Sequence, residues 1–378
     1  RPVVMRWSMR FLPAAAILVL LAGCASSSVT PAPSPSASRT PAPTPTPTVA
    51  AVPVEPDGEP TVIVSGLITP WSMVRLRSGS TLISERDPGV IVELTANRTV
   101  RQVGVVPDVV HENEGGLLGL AFVRSRNWLF AYLTTATDNR IVRFDLEGGP
   151  GSYSLGESTV ILSGLAKDAR HNGGRIKIGP DGLLYATVGD AKNVDLAQDL
   201  TSYNGKILRM ELDGSVPTDN PIAGSLIYSL GHRNPQGLAW DADGQLWASE
   251  FGQDTWDEFN RIVPGGNYGW PIVEGAAGDP AFIDPTYQWS TDVASPSGLA
   301  FVDGTFLLAA LHGERLWAIH PDETVTATDF YAGEFGRMRD VVAGPEGTAW
   351  VLTSNTDGHG TSREGDDRLL QIDLVPLG

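Results

Sequence analysis

One unit recurs six times in this chain, and its recurrence limits the possible folds more than any single motif. A tight turn ending in Gly or Asn is followed by a short apolar-alternating run. The turns are Ser78-Gly79, Arg126-Asn127, Asp181-Gly182, Asp243-Gly244, Asp303-Gly304 and Glu346-Gly347, and the runs that follow include Trp128–Thr134, Thr305–Ala310 and Thr348–Thr353. Apolar segments such as Gly119–Val123, Leu238–Trp240 and Leu299–Val302 precede many of the turns, and a third segment follows several, for example Ile207–Leu212 and Leu369–Ile372. Gly or Asn at a turn between two short apolar runs marks a β-hairpin. Units spaced about 40–60 residues apart match radial repetition of four-stranded sheets. No long stretch with a 3.6-residue period and caps interrupts them, so helix is minor. The expected fold is all-β, a six-bladed β-propeller of four-stranded antiparallel blades, with a pair of all-β sandwiches as the alternative.

The repeats occupy about residues 59–378. That length exceeds the roughly 250–300 residues at which one core stops growing, and no Pro/Ser-rich linker divides it. What precedes them has another character. Residues 1–23 carry Arg1, Arg6 and Arg10, no acidic residue, and an apolar run from Phe11 to Ala22. The run is too short to span a bilayer, which takes about 20 apolar residues, and its layout is that of an export signal. It ends in Leu21-Ala22-Gly23-Cys24, which resembles the lipobox of bacterial lipoproteins. Cys24, the only cysteine, excludes an intramolecular disulfide and is the expected lipid attachment point. Residues 24–58, rich in Pro, Ser, Thr and Ala, offer little to bury and read as an extended spacer. The expected location is therefore extracytoplasmic, with the membrane touched only through the anchor.

The net charge is −17, and it becomes more negative once the three N-terminal arginines are removed. With no basic stripe between aromatics, nucleic acid and anionic lipid are poor partners. Four polar clusters stand out against this acidic background: His111–Gly116, Arg170–Arg175 with Gly189-Asp190, Gly231–Gln236, and Gly336–Asp340. In a propeller such scattered loops meet at one end of a central funnel.

The hairpin at Pro180-Asp181-Gly182 brings His171 and Asp190 to its open end, within reach of each other. A carboxylate behind an imidazole fixes its tautomer, as a general base requires, although an isolated His–Asp pair serves equally as a structural cap. Arg233 and Asn234 supply a forked cation and an amide suited to a carbonyl or carboxylate oxygen. Arg337 and Arg339 flank Met338 on a strand and so share one face. They suit a small polyanion unless ion pairs with Asp340 or Glu334 use them up. The run Glu250–Glu258 offers carbonyl and carboxylate oxygens, the ligand type of a hard cation such as calcium, without EF-hand spacing.

HNGGR, TVGD, GHRNPQGL, GGNYGWP and GRMRDV, in this order and at these separations, resemble the soluble pyrroloquinoline quinone (PQQ)-dependent aldose dehydrogenases, the glucose/sorbosone dehydrogenase family. The resemblance extends over about residues 59–378 and implies a six-bladed propeller that oxidises an aldose at C1 to a lactone. Hydride would pass to the quinone and electrons onward to a separate acceptor. Carried over by motif, His171 is the base and Asp190 its orienting partner. Arg233 and Asn234 contact the reactive carbonyl region of the quinone, and Arg337 and Arg339 its carboxylates. Glu114 is a polar neighbour, and Trp289 and Thr291 fall where relatives contact cofactor or sugar. The carbonyls of Gly252 and Gln253 would hold the active-site calcium, while Glu258 and the carbonyl of Tyr268 match part of a second calcium site. Three positions depart from the family pattern. His312 stands where well-known members have a lysine against the quinone, and Gln253 replaces a proline. The remaining acidic ligand of the second calcium is not aligned, with Asp279 and Glu274 as candidates. A calcium-dependent propeller lactonase and a non-catalytic binding propeller are the rival readings. The first needs no arginine pair, and the second leaves His171 and Arg233 free to vary.

Overall fold

The computed structural model describes residues 52–322 and 324–378. The export signal, Cys24 and residues 25–51 of the spacer lie outside the described residues. Six four-stranded antiparallel sheets are present. Each of the six turns that mark the repeats joins the first two strands of one sheet. For example, Ser78-Gly79 links Pro70–Arg75 to Thr81–Glu85, and Glu346-Gly347 links Met338–Ala343 to Thr348–Thr353. Neighbouring sheets pack in a closed ring, first strand to first strand except that Pro235–Trp240 meets the second strand of the third sheet, Leu184–Val188, which makes the molecule a six-bladed propeller. The only helical elements among the described residues are two 3-10 turns, Arg124–Arg126 and Val194–Ala197. No described helix is long and apolar enough to cross a membrane.

Burial explains the sequence texture of each strand. The second strands are sandwiched between neighbouring blades, so both faces are covered, and Leu184–Val188, Thr305–Ala310 and Thr348–Thr353 are buried throughout. Outer strands such as Thr326–Phe330 alternate or lie exposed. Large side chains fill the inter-blade wedges. One wedge holds Trp247, Phe259, Trp289, Phe306 and Trp317, with Trp247 and Phe259 stacked at 4.8 Å. Innermost strands crowd at the axis and use small residues there. At Gly119 a Cβ would collide with the Gly174 carbonyl of the next blade.

The ring is closed by its own N-terminus. Val54–Ser65 pairs antiparallel with Arg368–Pro376 as the outermost strand of the sixth blade, with Val54 opposite Pro376 and Ser65 opposite Arg368. The folded domain thus takes in residues 54–58, which composition alone places in the spacer. Their backbone pairs with a strand more than 300 residues away, a partner that local composition does not register.

Candidate active site

In every blade, two segments reach the same end of the propeller: the approach to the first strand and the exit from the second. A cavity of about 320 Å³ opens there on the axis. Each of the four polar clusters contributes a side chain to its lining, namely Glu114, Arg170, Gln236, and Arg337 with Arg339. His312, from the exit of Thr305–Ala310, stands exposed at the rim. Arg86, paired with Asp87 at 2.6 Å, brings the lining to four arginines and one carboxylate, Glu114. In a chain of net charge −17 the funnel is therefore a cationic exception.

His171 stands behind Glu114, whose Oε2 accepts the His171 backbone N–H at 2.8 Å. Its ring is buried, with Nδ1 2.8 Å from Asp190 Oδ1. Asp190 is wholly buried and also accepts from Trp270 Nε1 at 2.9 Å and from the Lys192 N–H at 2.8 Å. Burial alone would raise its pKa, but these bonds, that from His171 foremost, hold it below the usual carboxylate value. Asp190 therefore stays ionised and accepts from Nδ1–H. That leaves Nε2, which has no hydrogen-bond partner among the described residues, as the acceptor. His171 has φ +60°, a left-handed conformation that few residues with a side chain adopt. The bonds from its N–H to Glu114 and from its ring to Asp190 hold it there.

Arg233 lies beside this pair. Its carbonyl accepts the Asp190 N–H at 2.8 Å, its guanidinium sits 5.6 Å from the Trp270 ring, and NH1 donates to the Phe251 carbonyl at 3.3 Å. The Arg233 N–H and His232 Nδ1 share the buried Glu250 carboxylate, while His232 Nε2 meets Ser229 Oγ at 2.8 Å. His232 is thus fully used as a structural residue. Asn234 Oδ1 accepts the Gly173 N–H at 3.0 Å, but its Nδ2 is buried without a partner, as are Arg233 Nε and Arg339 Nε.

Across the cavity, Met338 points into the hydrophobic core while Arg337 and Arg339 both face the hollow. Neither ion-pairs with Asp340 or Glu334. Both converge on Asp357 Oδ2, Arg337 through NH2 at 3.0 Å and Arg339 at 3.4 Å. Asp340 instead faces Arg175 at 3.1 Å, deeper on the axis. Arg339 NH1 also donates to Gln236 Oε1 at 2.9 Å. Burial pushes the Arg339 guanidinium down to about 9, against the pull of Asp357.

The acidic segment after Leu246–Glu250 folds around a carboxylate. Glu274 Oε1 accepts N–H groups from Gln253, Asp254, Thr255 and Trp256 at 2.7–3.2 Å. Burial works to raise its pKa, and these four donors hold it below the usual value. The Gly252 N–H goes to Asp257 at 2.9 Å, while among the described residues no backbone or side-chain donor takes the carbonyls of Gly252, Gln253 and Tyr268. Glu250, Glu258, Glu274 and Tyr268 surround a small void, and Glu258 is pushed up to about 8 by burial and by the Glu250 carboxylate. Among the described residues no three His, Cys, Asp or Glu side chains form a ready cage for a metal, so any cation here must draw on carbonyls.

Two expected site residues stand elsewhere. Trp289 is in the wedge with Trp317 and Tyr287, buried and away from the cavity lining, because pairing with Asp257 turns its ring into the sheet interface. Thr291 Oγ1 donates to the Asp254 carbonyl at 3.3 Å and so braces the acidic loop. Arg86, Asp357 and Trp71 were not anticipated, and Gln236 was marked only as part of the Gly231–Gln236 cluster. Arg86 and Asp357 follow the second strands of their blades, just as Asp190 and His312 do, so alignment of the repeats would have marked them.

Residues 67–363 match the glucose/sorbosone dehydrogenase family. The chain belongs to that family. Its fold superposes on the PQQ-bound aldose sugar dehydrogenase of Streptomyces coelicolor with a TM-score of 0.82 and 45% identity, covering 86% of this chain and 99% of that one. It is 34% identical over 263 residues to quinoprotein glucose dehydrogenase B of Acinetobacter calcoaceticus, covering 60% of this chain and 55% of that protein. It is also 27% identical over 338 residues to an aldose sugar dehydrogenase of Escherichia coli, covering 79% and 90% respectively. The family match encloses all six inner strands and every residue of the cationic funnel.

Proposed function

We propose that this propeller is a PQQ- and calcium-dependent dehydrogenase that oxidises aldose sugars at C1 to lactones. The observation that carries this reading is a cationic funnel with unpartnered buried donors beside a His–Asp pair. PQQ is a planar tricarboxylate with reactive carbonyls. Four arginines suit its carboxylates, and the free N–H groups of Asn234, Arg233 and Arg339 suit its oxygens. When bound, the quinone supplies a two-electron acceptor for the hydride that leaves C1.

The chain's own residues have separable tasks. Arg337 and Arg339, steadied by Asp357, hold carboxylates. Arg233 and Asn234 offer donors where negative charge develops on an oxygen. His171 Nε2 takes the proton of the C1 hydroxyl, and Asp190 keeps Nδ1 protonated and stabilises the imidazolium that forms. Glu114 anchors the His171 backbone, and His312 stands at the mouth of the cavity. The free carbonyls of Gly252 and Gln253 suit a hard cation, which would act as a Lewis acid on a quinone oxygen. A second cation near Glu258 and the Tyr268 carbonyl would relieve the Glu250–Glu258 repulsion.

Reconstitution tests the function. The full chain with calcium and PQQ is expected to reduce a redox dye with aldoses and to be inactive with either component omitted. Turnover of sugars without quinone, or hydrolysis of lactones, would end this reading. Calcium has its own readout. Addition of calcium to the quinone-free protein is expected to raise the thermal midpoint, and Glu258→Gln should shrink that increment. A ligand that binds only the folded state contributes about 2.7 kcal/mol at a hundredfold excess over its Kd, so a flat midpoint across calcium concentrations would count against the site.

A further inference from the structure

The inner strands enclose a second hollow at the opposite end of the axis. It has a volume of about 260 Å³ and is formed where Pro70–Arg75, Leu117–Val123, Ile176–Ile178 and Met338–Ala343 end. Its walls are apolar, including Met73, Leu120, Phe122 and Val342. Phe122, Ile178 and Val342 are only half-buried, so the hollow opens to solvent on the face away from the funnel. Among the described residues, Lys177 and Arg75 are the only charged side chains lining it, and no carboxylate does.

Lys177 is placed unusually. It leaves the first strand of the third blade, and its Nζ donates to the Leu299 carbonyl on the first strand of the fifth, at 2.8 Å. The amine therefore reaches past the fourth blade and makes only that one bond of the three it can donate. Burial pushes it down to about 8. The carboxylate that acts most strongly on it, Asp340, is engaged by Arg175 at 3.1 Å and by the Met73 N–H at 3.0 Å. Arg75 gives one N–H to the Ala343 carbonyl at 2.8 Å and rests 4.8 Å from the Trp350 ring, leaving its other donors free. Two cations under an apolar wall, with their nearest carboxylate already shared by Arg175 and a backbone N–H, form an incomplete set.

We propose that this hollow is a second ligand site, separate from the funnel, for a small carboxylate with an apolar body. The head group would meet Lys177 and Arg75, and the body would cover Phe122 and its neighbours. The volume lies below the roughly 300–1,000 Å³ of sites for drug-sized ligands, which restricts the occupant to a short chain or a single ring. The proposal stands independently of the sugar chemistry, since it uses no residue of the funnel.

Titration calorimetry of the full chain, without quinone, tests it with hexanoate as probe. Saturable binding of one hexanoate per chain is expected, weakened about tenfold or more in Lys177→Met, with acetate and hexan-1-ol each binding much more weakly. Arg75→Gln provides a second variant at the mouth should Lys177→Met not fold, and it is expected to weaken binding as well. Dye-linked activity should be unchanged in Arg75→Gln. The funnel also holds arginines, so Arg337→Gln is the discriminating control. Loss of hexanoate binding in Arg337→Gln with Lys177→Met and Arg75→Gln unaffected would place the carboxylate in the funnel and overturn the proposal. So would the absence of saturable heat, or equal binding of hexan-1-ol.

Discussion

His171→Ala is expected to bind the quinone about as tightly as the parent and to lose about 10²–10⁴-fold in kcat, the usual contribution of a positioned general base. The argument rests on how completely the rest of the ring is used. Nδ1 is committed to Asp190 at 2.8 Å, and Asp190 is itself fixed by Trp270 and Lys192, so Nε2 is the one atom free to take a proton. Truncation removes that atom, while the backbone N–H to Glu114, at 2.8 Å, survives. The two readouts therefore separate a chemical role from a structural one. Cofactor binding followed by absorbance should not move, whereas single-turnover sugar oxidation should collapse. Asp190→Asn is expected to give an intermediate loss, because the amide can present its N–H to Nδ1 and stabilise the wrong tautomer. A His171→Ala enzyme that turns over at the parental rate would remove the base from this imidazole.

The second large effect concerns affinity. Arg339→Ala is expected to weaken quinone binding by about 2–4 kcal/mol, roughly 30- to 1,000-fold, with a smaller change in kcat once the cofactor is saturating. Two costs add. The charge-assisted bonds to a carboxylate are lost, and Asp357, wholly buried in its side chain, retains only Arg337 as its ion-pair partner. Arg339→Lys keeps a charge but not the fork, so it should recover only part of the loss. Equal quinone affinity in Arg339→Ala and the parent would show that the arginine pair serves the blade rather than the ligand.

The elements differ in how visible they were before folding. The six turns were legible because Asn or Gly at a tight hairpin is a local requirement, met within four residues. His171 and Asp190 were legible for a related reason, since one short hairpin joins them and strand pairing brings its open ends together. The arginines at 337 and 339 were legible from the period of two along a strand. Their counter-ion was not: Asp357 lies beyond the next strand, and Asp340, adjacent in sequence, faces Arg175 instead. Trp289, expected near cofactor or sugar from the family resemblance, lies in the wedge between blades. A strand's register decides which face a ring occupies, and the register with Asp257 turns this one into the blade interface.

What the sequence determined by itself is the repeat, the hairpins within it and the chemical types delivered to the loops, because each of these depends on residues close together along the chain. Tertiary structure alone decided which loops share a hollow, which carboxylate holds which arginine, and that Val54–Ser65 closes the ring. Those outcomes depend on ring closure, which brings together groups hundreds of residues apart. No local propensity encodes the meeting of two distant strands; only burial and backbone pairing in the finished propeller select it.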